Sequence, residues 1–241
     1  MTSEQLADFY ATPLGGVAMQ LLSDKVRDAW GPAKGLRLAG FGHAGPILQN
    51  FPLAERVIDM IPAAAGPLGK PGEVVVDDEA WPLREASIDR LLVIHGLEDA
   101  PDPRRLMREA WRVLTDDGRL IIIAANRHGF WTVFENSVMA AGRAYSRRQL
   151  VQLLEGSMFA PTAQASALYF PPIARLSRIA LPWERMASRL EPLRMPLPNV
   201  AGALLVEARR SMAVPVQGSK VEVLRPLFGQ GRRSAGLAAE R

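Results

Sequence analysis

Two nearly apolar runs, IDRLLVI at 88–94 and LIIIAA at 120–125, constrain this chain more than any other feature. Strands buried on both faces read as continuous apolar runs rather than as alternation, the pattern of a parallel sheet covered on two sides. The segment between them predicts a helix. Asp102 is placed to cap it, Pro103 takes its first turn, and Leu106, Ala110, Val113 and Leu114 share one face. Asp116-Asp117-Gly118 reads as a turn. Such a strand–helix–strand unit closes by a right-handed crossover.

The same logic extends along the chain. Residues 3–30 read as helical around Leu6, Phe9, Tyr10, Val17, Leu21, Leu22 and Val26, broken by a turn at 13–16. Gly35 opens a strand over 36–39, and a helix is expected from Pro46. Further strands are expected over 57–61, 74–76 and 202–209, with a helix over 147–154. Residues 62–72, rich in Pro and Gly, read as loop. Three parts follow: an N-terminal helical cover (1–34), a main domain (35–210) and a basic mobile tail (211–241).

Composition narrows the function. The net charge is +4, and the tail holds +3 of it, so the basic balance gives no folded nucleic-acid-binding face. The chain has no cysteine, which excludes disulfides, thiolate metal sites and a cysteine nucleophile. Its three histidines show no metal-ligand spacing. The start MTSEQLADFY lacks an apolar core of a signal peptide, and no apolar run reaches the roughly 18 residues of a membrane span. A cytoplasmic location is therefore expected.

The stretch LRLAGFGHAGPIL (36–48) sets Gly40, Gly42 and Gly45 in the spacing G-x-G-x-x-G after a strand. A glycine turn beyond a strand's carboxyl end lets backbone approach a ligand closely. Asp59 lies 19 positions after Gly40, where a ribose-binding acid is expected. The spacing alone leaves NAD and S-adenosylmethionine (SAM) equally open.

Residues 77–127 separate the two. An acidic residue, Asp77, precedes Trp81-Pro82-Leu83; Ser87-Ile88-Asp89 opens a strand; His95-Gly96-Leu97-Glu98-Asp99 and Pro101-Asp102-Pro103 follow. Glu109-Ala110-Trp111-Arg112-Val113-Leu114 then leads to Gly118-Arg119-Leu120. This order and spacing resembles the class I SAM-dependent methyltransferases of the methyltransferase-11 type. Tyr145-Ser146, Gln149-Leu150 and 201–210 resemble later parts of that family. The resemblance implies an α/β fold, a Rossmann-like doubly wound sheet of seven strands, the last antiparallel, with helices on both faces. It implies SAM as cofactor, with Gly40 and Gly42 under the methionine part, Asp59 at the end of the second strand on the ribose hydroxyls, and Asp77 with Asp78 at the adenine amino group. Asp89 and Arg112 take structural roles in the family pattern.

The chain departs from the family at Leu38, where an acid is usual, at Ala44, where the third glycine is usual, and at Met60-Ile61-Pro62 after the second-strand acid. These departures leave two readings: methyl transfer to a small-molecule acceptor, and a non-catalytic methyltransferase-like binding or partner protein. His95, after the fourth strand, is the candidate catalytic base. His128 is a second candidate, and His43 is expected to touch cofactor or solvent. Tyr10 and Trp30 are candidates for a cover over the site, and Glu98 and Asp99 read as a solvated loop. Residues 168–198 carry Ile173, Leu176, Ile179, Trp183, Met186 and Leu190 with interleaved arginines and a breaking Pro182. That insertion reads as a lid for an apolar acceptor. Peripheral membrane contact is the less favoured reading, since a kinked basic segment is a poor anchor by itself. No nucleic-acid partner is expected.

Overall fold

The computed structural model describes residues 2–65, 72–133, 142–173, 181–184, 186, 200–211 and 225–226. Two helices, α1 (Ser3–Ala11) and α2 (Pro13–Trp30), precede the sheet. The chain then runs β1 (Arg37–Gly42), α3 (Gly45–Leu48), β2 (Arg56–Pro62), β3 (Glu73–Val76), β4 (Ile88–Ile94), α4 (Pro103–Val113) and β5 (Leu114–Ala125). After these come α5 (Phe130–Val133), α6 (Arg147–Glu155), β6 (Phe159–Ala167), β7 (Ala203–Arg210) and a two-residue β8 (Arg225–Pro226).

The strands form one sheet in the order β3-β2-β1-β4-β5-β7-β6-β8. Strands β3, β2, β1, β4 and β5 are mutually parallel, while β7 is antiparallel to β5 and to β6. Seven strands with the last antiparallel therefore form as expected, and β8 extends the edge beside β6. The order reverses between β1 and β4, the switch point at which such sheets bind ligands.

Period-2 alternation sends the two faces to two cores. Leu38, Leu92, Ile94, Ile121, Ile123 and Leu205 pack with Leu14, Leu22 and Val26 of α2 and with Ile47 and Leu48 of α3. Ala39, Leu91, Val93, Leu120 and Ile122 pack with Leu106 and Ala110 of α4 and Leu150 and Leu154 of α6. The helices thus cover both faces. Asp102 caps α4 by accepting from the Arg104 and Arg105 N–H groups.

Three local expectations change. The turn at 13–16 is the first turn of α2, because Pro13 suits a first helical position and the Thr12 hydroxyl accepts from Gly15 N–H. The turn at Asp116-Asp117-Gly118 lies within β5, where Ile88 faces Leu114 but Arg90 already faces Arg119, so the extra residues form an irregularity. Strand β6 has no apolar signature; it pairs along nearly all of β7 and is carried by that neighbour rather than by its own sequence. Most of the expected lid (168–198) and tail (211–241) lies outside the described residues.

The cover is part of the core. Leu22 is fully buried between α2 and the sheet. Leu22→Ala is expected to cost about 2–5 kcal/mol, read as a lower urea midpoint in equilibrium unfolding.

Candidate active site

The site forms where β1 and β4 end side by side. Gly42, the last residue of β1, has φ +92, and a Cβ there would lie 2.0 Å from the Ile94 carbonyl oxygen. His43 N–H donates to that same oxygen at 2.8 Å. Only glycine allows both the left-handed backbone and this approach. Ala44 packs its Cβ on Gly40, and Gly45 lies so close to the Asp59 carboxylate that a Cβ would meet Oδ2 at 2.1 Å. The shifted third glycine is thus explained: the glycine sits where Asp59 presses on the loop. Leu38 is fully buried in the apolar core beneath α2 and α3, where a carboxylate would need a partner of its own.

Asp59 faces Gly40 across the β1–β2 ladder, and β2 continues to Pro62, so the residue lies inside the strand rather than at its end. Burial, then the charge of Glu73, pushes its carboxyl up to about 7, against the Gly45 backbone N–H that favours the anion. Its Oδ1 is buried without a hydrogen-bond partner. Asp77 is exposed and accepts from Glu79 N–H at 2.8 Å, which holds the turn after β3. Asp78 is half-buried and is pushed up to about 6 by burial and by Asp77, Glu79 and Asp99. Asp78 therefore shares a field with Asp99 beyond β4.

His95 leaves β4 with φ +54, a strained backbone for a non-glycine residue. It is buried, and its Nε2 lies 2.6 Å from the Tyr10 hydroxyl of α1. The Tyr10 ring also stacks on His43, 5.1 Å between centroids and 10° from parallel. Burial, then His43, depresses His95 to about 3, so it is a neutral imidazole. Burial and the Glu98 charge raise the Tyr10 phenol well above its ordinary value, so it stays protonated. Glu98 is not a solvated loop residue. It is buried, its Oε1 accepts from Ala125 N–H at 3.0 Å, its Oε2 has no partner, and burial raises it to about 7.

Other candidates lie elsewhere. His128 is exposed, and its backbone N–H donates to the Asn126 side chain. Trp30 packs on Phe51 in the core and is not part of the cover over His95. Arg112 bonds the Trp81 and Leu83 carbonyls and pairs with Glu109, which itself accepts from Trp81 N–H. This lock holds Trp81 stacked on Phe41 at 5.1 Å, beside the end of β1. Asp89 accepts three hydrogen bonds from Arg37 and ties β1 to β4. Among the described residues no cluster of His, Asp and Glu is arranged to hold a metal ion.

Residues 50–122 match the model of the methyltransferase domain family. A solved SAM-dependent methyltransferase from Thermotoga maritima superposes with TM-score 0.58 at 17% identity, covering 86% of this chain and 96% of that one. The chain shares the fold of that methyltransferase. Among curated proteins, YafS of Escherichia coli (strain K12) is 44% identical over 62 residues, 26% of each chain. The ubiquinone/menaquinone biosynthesis C-methyltransferase UbiE of Acidiphilium cryptum is 39% identical over 56 residues, 23% of this chain and 22% of that protein. These matches span about a quarter of each relative's length.

An acid with a raised folded pKa binds its proton more tightly in the native state than in the unfolded chain. Its contribution is present below about pH 4 and is lost as pH rises through about 7 for Asp59. Asp59→Asn removes that loss. The variant is expected to gain Tm relative to the parent at pH 8 and not at pH 4, read by calorimetry on ligand-free protein.

Proposed function

We propose that this chain transfers a methyl group from SAM to a small-molecule acceptor of apolar character. The observation that carries the choice of donor is electrostatic. Asp59 meets the glycine loop at Gly45, Asp78 follows β3 and Glu98 lies buried beyond β4; burial raises all three carboxyls, and none of the three forms an ion pair with a described residue. Such a site attracts a cation and repels the pyrophosphate of a dinucleotide. SAM carries a sulfonium and an ammonium group; NAD carries two phosphates. The orphaned Asp59 Oδ1 and the cradle at Gly42 fit the adenosyl donor.

In this reading Gly40 and Gly42 lie under the methionine part, Asp59 accepts from the ribose hydroxyls, and Asp77 and Asp78 meet the adenine amino group. SAM supplies an electrophilic methyl group on sulfur. The protein's part is then to align the acceptor and exclude water. His95, neutral and strained at the end of β4, accepts a hydrogen bond but has little affinity for a proton. It orients Tyr10 or an acceptor hydroxyl, and this is its proposed catalytic part. Tyr10, Phe9, Trp131 and Phe170 form a chain of edge contacts from His95 toward the start of the 168–198 insertion. An apolar acceptor suits that wall, and a relative acting in ubiquinone/menaquinone biosynthesis supports it. A cytoplasmic setting belongs to the same proposal; no helix of the described residues is long and apolar enough to cross a membrane.

Calorimetric titration with SAM, S-adenosylhomocysteine and NAD tests the donor. Micromolar binding of both adenosyl ligands, lost in Asp59→Ala or Asp77→Ala, is expected. NAD binding alone would overturn the reading, and silence with all three would favour a non-catalytic binding protein. SAM affinity is further expected to weaken as pH falls from 8 to 5.5, because the carboxylates of Asp59 and Asp78 are protonated through about 7 and about 6. Glu98→Gln should weaken SAM by about tenfold and the uncharged thioether less, a split that a merely structural role would not produce.

A further inference from the structure

A second charged feature lies at the other end of the sheet. Arg90 on β4 is directly opposite Arg119 on β5, and Arg119 is directly opposite Arg209 on β7. All three alternate onto one face, the face of Leu92, Ile121 and Leu205. Neighbouring strands are about 4.8 Å apart, and like charges directly opposite each other are destabilising. Three guanidinium groups in one row therefore require anions.

The described residues supply too few. Glu207 accepts from Arg119 at 3.3 Å and from the Thr162 hydroxyl at 3.2 Å, so its single negative charge is already paired with one of the three arginines. Asp89, the other acid near Arg90, is held by Arg37. Arg90 donates from Nη1 to the Asp89 carbonyl, but its Nε is buried with no partner. Burial and the Arg119 charge together push the Arg90 guanidinium below its ordinary value. Arg209 is exposed and makes no ion pair with a described residue.

We propose that Arg90, Arg119 and Arg209 form a binding site for a phosphate-type oxyanion. The site is separate from the donor site: His95 lies five residues along β4 from Arg90, about 16 Å at strand rise. Guanidinium forks in a row match the several oxygens of a tetrahedral anion better than a single carboxylate does. A phosphorylated small molecule and a lipid headgroup share this chemistry.

The test uses the full chain. Inorganic phosphate is titrated against chloride at matched ionic strength, following the arginine Nε–H resonances by NMR. Phosphate is expected to saturate and to shift the Arg90 resonance, and Arg209→Gln to weaken it by about tenfold. Arg104→Gln, at the exposed start of α4 on the other face, is expected to change nothing. Sedimentation with phosphatidylglycerol and with phosphatidylcholine vesicles then assigns the source. Loss of phosphatidylglycerol binding in Arg209→Gln marks a headgroup site, and no vesicle binding marks a soluble phosphate ligand. Equal responses to phosphate and chloride, or an undiminished phosphate response in Arg209→Gln, would overturn the proposal. SAM titration of Arg209→Gln runs independently, so failure here leaves the donor reading standing.

Discussion

The close approach of β1 to β4 at the switch point governs the arrangement around it. Gly42 presses its backbone against the Ile94 carbonyl, where a Cβ would stand at 2.0 Å, and His43 N–H bonds the same oxygen. This contact turns the chain sharply out of β1, and α3 follows within three residues. Ala44 can then pack on Gly40, and Gly45 can meet Asp59. On the other strand, the backbone leaves Ile94 through a left-handed His95 and a Gly96 that lies on the Phe41 ring. A glycine turn, the Asp59 carboxyl, the Phe41 ring and a histidine are thus brought together by one backbone contact.

Burial by the cover then sets the chemistry of those groups. Tyr10 comes from α1, which is anchored through Leu6 in the same core as α2. Its hydroxyl closes over His95 and its ring over His43. Removing water disfavours charge on every group beneath, so the histidine loses basicity while the carboxylates gain it. The cover and the electrostatics are therefore one property. A cover that moved away would restore water to His95 and with it a more ordinary proton affinity.

Much of this arrangement was legible in the sequence, for identifiable reasons. Strands β4 and β5 are buried on both faces, so their apolar runs stood out, and Asp102-Pro103 marked the start of α4 by cap chemistry. Strand β6 was illegible because PTAQASA has little apolar content and is ordered by its ladder to β7. At the site, the glycines and Asp59 were readable from spacing. The placement of Asp59 within β2 was not, since register depends on tertiary pairing. Glu98 read as loop because its polarity suggested water, whereas the fold buries it and gives it the Ala125 N–H. Tyr10 was visible only as a ring on a helix face; its partner His95 is 85 residues away.

The two ends of the sheet carry opposite charge, and the strands explain how. Residues that leave the carboxyl ends of β3 and β4 are acidic, at Asp77, Asp78, Glu98 and Asp99, whereas Arg90, Arg119 and Arg209 line the opposite end. A strand keeps these groups about 16 Å apart, beyond the screening length of physiological salt, so neither set neutralises the other. Each end must therefore resolve its own excess. Protonation can relieve the acidic end in part, since burial raises Asp78 to about 6 and Glu98 to about 7, and a cationic ligand relieves it without that cost. The arginines have no such route, because a guanidinium does not give up its proton near neutral pH. Only an anion can quiet them, which makes the row of arginines the more demanding of the two sites.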